Sequence, residues 1–207
     1  MRLFVLGATG KTGGALVAQA LARGHAVTTF GRSPFAGSEK AKVLSISGNP
    51  MSEMELSDAL PGHDAVLSML GTRGLGATSV LEDSARVTIS SMHTAGVRRL
   101  VILSSALLDS NIGVMARFAA RTLLRHHSSD QRAMERLVTA SNLQWTVLRS
   151  SRMNDSAPAG KSTLIIGEPS DARGMLITKA EVARVMLDTV ENGSYIREIV
   201  HLRGAHP

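Results

Sequence analysis

Three groups of residues have the types and spacing to do chemistry. The first is Gly7-Ala8-Thr9-Gly10-Lys11-Thr12-Gly13, with glycines three residues apart directly after the apolar run 2–6. At that spacing the first glycine permits a tight turn, the second lets a ligand approach the backbone, and the third lets a helix pack on the strand. Free N–H groups and the helix dipole at Thr12 then favour a phosphate anion. Lys11-Thr12 resembles the end of a nucleoside-triphosphate loop, but the glycine spacing before it is too short for that motif. A glycine turn between a strand and a helix predicts a dinucleotide site.

The second group closes the next apolar run. Sites for NAD commonly carry Asp or Glu there to bond the ribose 2′-hydroxyl. This chain reads Phe30-Gly31-Arg32-Ser33, with no acid. Arg32 can pair bidentately with a 2′-phosphate and Ser33 can add a hydroxyl, with Lys40 or Lys42 in support. The expected cofactor is therefore NADPH rather than NADH. The third group is Ser104-Ser105, where a hydroxyl can hydrogen-bond a bound ring but is a poor acid at its ordinary pKa.

Other polar residues read more blandly. His126 and His127 are adjacent, so on a helix they face different ways and cannot easily share a metal; no metal site is expected. Arg117, Arg121 and Arg125 form one basic stripe, expected to be a solvated face. Met115, Phe118, Ala119 and Leu123 are expected in the core or a pocket wall, and Met134 in the core.

Alternating strands and helices must position these groups. Strands are predicted over 2–6, 25–30, 42–47, 65–70, 100–103, 145–148 and 196–202, from apolar runs ending in turn residues. Helices are predicted over 12–23, from Ser52 to Leu60, over 79–95 closed by Gly96, over 113–140 with a break near 126–129, and from Thr178 to Glu191. Ser52 with Glu55 and Thr178 with Glu181 are capping boxes. Residues 151–175 are the least regular. The expected fold is α/β, a doubly wound (Rossmann) parallel sheet forming a single domain over 1–207 with a small substrate-side C-terminal portion. Ligands then bind beyond the carboxyl ends of the strands.

Composition sets limits. The chain has 207 residues, 43% of them apolar and 19% charged, enough for one buried core. It has no cysteine, which excludes disulfides, thiolate nucleophiles and cysteine-bound metals. No apolar run reaches the roughly 18 residues of a membrane span. A soluble cytoplasmic protein is expected, with no membrane partner. The net charge of +6 suits anionic ligands, but 3% aromatic residues leave few platforms for stacking bases, which argues against nucleic acid.

VLGATGKTG, the later GRSP, AVLSMLGT at 65–72, LVILSSALL at 100–108, DQRAMERLVTASNLQWTVLR at 130–149 and ITKAEVARVML at 177–187 together resemble the NmrA-like NAD(P)H-binding proteins. These are an atypical short-chain dehydrogenase/reductase group. Within it the pattern is most similar to the flavin reductase (biliverdin reductase B) branch. The resemblance implies that Thr12 and the glycines hold the pyrophosphate and Arg32 the 2′-phosphate. It implies that Asn49 lies beside the adenine, that Leu70, Gly71 and Thr72 line the cofactor, and that Arg73 lies near a phosphate. It also implies that Ser105, with Ser104, lies near the nicotinamide, and that Ser150, Ser151 and Arg152 pack on it.

The departures bear on mechanism. Short-chain dehydrogenases carry Tyr-x-x-x-Lys; here position 131 is Gln, position 135 is Glu, and the sole tyrosine is Tyr195. Tyrosine-based proton transfer is therefore absent. Ser150 replaces a usual proline, and Arg152 a histidine of the flavin reductases.

The expected activity is NADPH-dependent hydride transfer to a flavin, quinone or similar planar acceptor, in which the protein orients the reactants. Ser105 is the candidate catalytic residue, and a monomer or weak homodimer is expected. A non-catalytic NADP(H) sensor that binds a protein or nucleic acid is the alternative. An epimerase-like enzyme is disfavoured by the missing Tyr-x-x-x-Lys.

Overall fold

The computed structural model describes residues 1–36, 43–71, 76–109, 118, 122, 125–155, 163–166 and 176–204. Apolar runs become its central strands: β1 (Arg2–Leu6), β2 (Ala26–Gly31), β3 (Leu44–Ser47), β4 (Ala65–Ser68), β5 (Arg99–Ser105) and β6 (Gln144–Ser150). Four more follow: β7 (Met153–Asn154), β8 (Thr163–Ile166), β9 (Ile177–Thr178) and β10 (Glu198–Arg203). The main sheet runs β3-β2-β1-β4-β5-β6-β10-β8. Every pairing in it is parallel except β8 on β10. β7 and β9 form a separate parallel pair. The chain winds outward from β1 to β3, then returns to β4 on the other side of β1. This reversal opens a crevice at the carboxyl ends of β1 and β4, the usual ligand position in such sheets. The fold is the α/β Rossmann-like one that the sequence predicts.

Alternation along β1 assigns residues to two cores. Leu3 and Val5 join Leu16, Val17, Val182 and Met186 under α1 (Lys11–Ala22) and α5 (Lys179–Glu191). Phe4 and Leu6 join Leu56, Met92 and Met134 under α2 (Glu53–Ala59), α3 (Val80–Ala95) and α4 (Arg125–Ala140). Phe4 is fully buried and stacks on Phe30 with ring centroids 5.8 Å apart. Burying such a ring contributes roughly 1.5–3 kcal/mol.

Local signals set the helix ends. Ser52 Oγ accepts from Glu55 N at 3.4 Å and Thr178 Oγ1 from Glu181 N at 3.1 Å, the N-cap half of each predicted capping box, while the Glu55 carboxylate accepts from Asn49 N and that of Glu181 from Arg184. Gly96, at φ 72°, closes α3 in the left-handed region. The start of α3 differs, because Ser79 caps nothing. Asp130 of α4 does so instead, accepting from Leu81 N at 3.1 Å and Glu82 N at 2.9 Å.

Several expectations are corrected. The break near 126–129 does not exist: α4 runs unbroken from Arg125 to Ala140. Buried Ser128 and the Asp130 contacts hold its first turns against the weak helix propensity of His-His-Ser-Ser. Phe118 is not core but 69% exposed. Met115, Ala119 and Leu123 lie outside the described residues, as do Arg117, Arg121, Lys40 and Lys42. Met134 is buried as expected. β5 and β6 extend beyond their predicted ends, and the irregular stretch contains β7 and β8.

Candidate functional site

The glycine turn shows three different reasons for having no side chain. Gly7 has φ +81°, and a Cβ there would lie 2.6 Å from Met69 O, so the turn and the close approach of β4 both need glycine. A Cβ on Gly13 would collide with the Gly7 carbonyl, so α1 can only press onto the turn with glycine there. Gly10 is different. Its φ is −76° and a Cβ would meet only Gly7 O, at 3.4 Å. The chain's own packing does not require glycine at that position, and the bare backbone leaves room for a ligand. No side chain caps α1 and no acid stands in its first turn, so the positive end of the helix is uncompensated. This arrangement suits a pyrophosphate.

Two cavities flank the turn. The smaller, about 90 Å³, is lined by Gly7, Thr9, Gly31, Arg32, Ser33 and Leu70 among others. Arg32 and Ser33 stand exposed at its lip. Pro50 lines it; Asn49 does not, and the Asn49 Oδ1 is engaged by Met51 N at 3.0 Å. The larger cavity, about 820 Å³, begins at Gly10, Lys11, Thr12 and Gly13 and takes in Leu70 and Gly71. It continues along Ser104, Ser105, Ser150, Ser151 and Arg152. Thus the carboxyl ends of β1, β2, β4, β5 and β6 bring together most of the residues singled out in the sequence. Thr72 and Arg73 lie outside the described residues.

The two neighbouring serines play opposite hydrogen-bonding parts. Ser105 Oγ accepts from Leu107 N at 3.2 Å, which leaves its proton available. Ser104 instead donates to Glu135 Oε1 at 2.6 Å. Behind Glu135 lies a chain of charges. Arg149 reaches Glu135 through Nε at 3.1 Å and Nη2 at 2.8 Å, and Asp109 through Nη1 at 3.2 Å. His201 Nδ1 lies 3.0 Å from Asp109 Oδ1, a close contact without hydrogen-bond alignment. Burial works against the Arg149 charge, but the hydrogen bonds and charges of Glu135 and Asp109 outweigh it and raise its pKa.

Other wall residues carry polar atoms without partners. Gln131 Oε1 and Ser151 Oγ are buried and unbonded among the described residues. Lys11 Nζ lies 2.7 Å from Asp155 Oδ2, and Lys179 bonds the other oxygen of that carboxylate, so two cations stand at the mouth. Thr12 Oγ1 donates to Met153 Sδ at 3.8 Å, tying the turn to β7.

Sequence reasoning missed much of this wall. Glu135 was readable as a departure from a pattern, not as a partner for Ser104. A clue exists: Gln131, Glu135 and Val138 share a face with buried Met134, an apolar setting for a carboxylate. His127 is not a plain surface histidine but lines the large cavity, whereas Arg125 Nε donates to His126. No cluster of metal-binding side chains exists among the described residues. Tyr195 sits at the other end of the sheet, where its carbonyl accepts from Thr146 Oγ1 at 2.7 Å.

A family model described as NAD(P)H-binding matches residues 7–193, nearly the whole chain. The chain belongs to this NAD(P)H-binding family. Solved structures of the same fold include a short-chain dehydrogenase/reductase of Veillonella parvula in complex with NADP, at TM-score 0.82 and 17% identity, covering 98% of this chain and 94% of the other. An anaerobilin reductase of Escherichia coli O157:H7 aligns over 100% of both chains at TM-score 0.81 and 19% identity. An oxidoreductase of Lactococcus lactis aligns at TM-score 0.80 and 17% identity, over 99% of this chain and 91% of that one. At these identities the likeness concerns the fold. No helix among the described residues is long and apolar enough to cross a membrane.

Proposed function

We propose that this member of the family is an NADPH-dependent reductase acting on a flavin, a quinone or a similar planar acceptor. The observation that carries the reading is the larger cavity. At about 820 Å³ it starts on the bare N-terminus of α1 and extends past Ser105 to Leu107, His127 and Arg203. Small-molecule sites span roughly 300–1,000 Å³, so this one has room for an acceptor beside the reactive end of a dinucleotide. Met69, Leu70, Leu81, Leu103, Leu107 and Met153 give it apolar walls suited to flat rings.

A reduced dinucleotide bound here would supply a hydride to the acceptor. The chain's own groups would bind and orient. The amides of Gly10 to Gly13 face the phosphates, and the α1 dipole favours their charge. Arg32 and Ser33 take the 2′-phosphate at the end of an acid-free β2, which favours NADPH over NADH. Ser105 lines the cavity with its hydroxyl proton uncommitted among the described residues, and Ser150, its register partner on β6, continues the lining with Ser151 and Arg152. The acceptor's accompanying proton is drawn from water, because neither serine is an acid of useful strength. The kinship of fold with an anaerobilin reductase adds open tetrapyrroles to the acceptors to assay.

The test is NADPH oxidation followed at the nicotinamide absorbance band, with FMN, riboflavin, a quinone and a linear tetrapyrrole each in excess and NADH as control. Turnover with a preference for NADPH is expected; tight NADPH binding without turnover on any acceptor would overturn the reading. Arg32→Asp should weaken NADPH binding by about 100-fold and NADH binding by less than about threefold, the measure of a lost charge-assisted pair.

A further inference from the structure

The Ser104 hydroxyl has a fixed polarity. Glu135 accepts at 2.6 Å and, with Arg149 bound to both of its oxygens, is a carboxylate with no proton to give. The hydroxyl proton therefore points at Glu135. No donor reaches Ser104 Oγ among the described residues, and the residue lines the large cavity. A group that reaches this oxygen meets lone pairs only. Gln131, one helical turn before Glu135, lines the same cavity with Oε1 buried and unpartnered. A buried acceptor left unbonded is destabilising, so this wall is built to receive a donor.

We propose that Glu135 is a positioning residue that makes Ser104 an obligate hydrogen-bond acceptor, so that this wall selects ligands presenting an N–H group. Glu135 touches neither ligand; it acts through Ser104. Asp109 and Arg149 hold the carboxylate in place from behind, at 3.2 Å and 2.8 Å along the chain of contacts. The N–H has two possible sources in a reductase of the kind proposed above: the nicotinamide carboxamide, or an imide or pyrrole nitrogen of the acceptor. A quinone, which carries only carbonyls, gains nothing at this wall. The inference rests on the reductase reading for the identity of its ligands but not for its test, which measures binding alone.

The experiment is a double-mutant cycle over wild type, Ser104→Ala, Glu135→Gln and the double variant, with melting curves to confirm folding. Dissociation constants are measured for NADPH, for its 3-acetylpyridine analogue (which has no amide N–H), and for a flavin and a quinone on the NADP-loaded protein. Each single change should weaken the N–H-bearing ligand about five- to tenfold. Glu135→Gln should add less than about twofold once Ser104 is gone, because contacting residues couple. If the donor is the carboxamide, the loss appears with NADPH and not with the analogue. If it is on the acceptor, the loss appears with the flavin and not with the quinone. Should Glu135→Gln not fold, Glu135→Asp keeps the charge and withdraws the carboxylate, with the same expectation. Multiplying losses in the double variant, or unchanged affinity for all four ligands in Ser104→Ala, would overturn the proposal. Absent turnover with the cycle intact would sink only the reductase reading.

Discussion

Two arginines stand at opposite ends of the sheet, Arg99 buried and Arg149 partly buried, and their surroundings differ. Arg99, at the start of β5, meets no carboxylate among the described residues. It donates to the carbonyls of Gln144 at 2.7 Å, Ser194 at 2.9 Å and Thr189 at 3.3 Å, and to Thr146 Oγ1 at 2.9 Å. Burial pushes its pKa down to about 10. Arg149, near the end of β6, is gripped by Glu135 and Asp109, which more than offset burial. The first guanidinium ties carbonyls of β6, α5 and the turn after α5 together at the bottom of the fold. The second is one member of a charged assembly whose last link, Ser104, opens on the cavity. Burial of a charge does not by itself mark a functional end; what the charge leads to does.

The largest expected effect comes from cutting the charged assembly. Arg149→Met strands two buried carboxylates, 7% and 2% exposed at the side chain, and should cost about 3–5 kcal/mol in urea unfolding. Arg99→Met removes a charge that has only neutral partners, so the loss should be smaller, about 1–3 kcal/mol, from the carbonyls left unbonded. It should leave ligand affinity within about twofold, since its contacts lie at the far end of the sheet. Equal losses from both substitutions would erase the distinction drawn between the two ends.

The glycine turn sharpens the same contrast. Gly10→Ala should lower dinucleotide affinity about tenfold, or about 1.4 kcal/mol, while the melting temperature stays put. Gly13→Ala should lower both, because its Cβ would run into the Gly7 carbonyl. Calorimetric titration and thermal melts separate the two outcomes.

The smallest effect is expected at the bottom edge. Glu191 Oε1 lies 2.6 Å from His25 Nε2, and Oε2 lies 2.7 Å from Arg23 Nη1. Burial alone would raise the Glu191 pKa, but the His25 hydrogen bond and the Arg23 charge outweigh it and hold it below the usual 4.5. Because the folded pKa is depressed, this stabilisation is complete above the unfolded value and fades as pH falls through the folded one. Glu191→Gln should cost about 1 kcal/mol at pH 7 and flatten the decline in stability below about pH 4.5, with dinucleotide affinity unchanged.

What was legible in the sequence follows the range of the forces involved. The glycine turn, the cores of the apolar strands and the N-caps at Ser52 and Thr178 depend on residues within a few positions of each other, and each lies where the sequence predicts it. β8 was not legible: Thr163–Ile166 is short, and it is a strand only because it pairs antiparallel with β10, Val200 opposite Ile166. The Ser104–Glu135–Arg149–Asp109 assembly joins β5, β6, α4 and the turn after β5, so no local pattern announces it. The unbroken start of α4 is illegible for the same reason, since Asp130 answers to α3.

The Asp130 cap of α3 has a consequence in time. Residues 80–95 are synthesised before residue 130, so the first turn of α3 lacks the Asp130 acceptor for Leu81 N and Glu82 N during that interval. Its beginning can mature only after α4 has been made and has docked. In the finished protein the same dependence ties the opening of the two helices together. The amides of Leu81 and Glu82 should exchange with solvent at the rate at which α4 lifts away, not at the rate at which α3 frays.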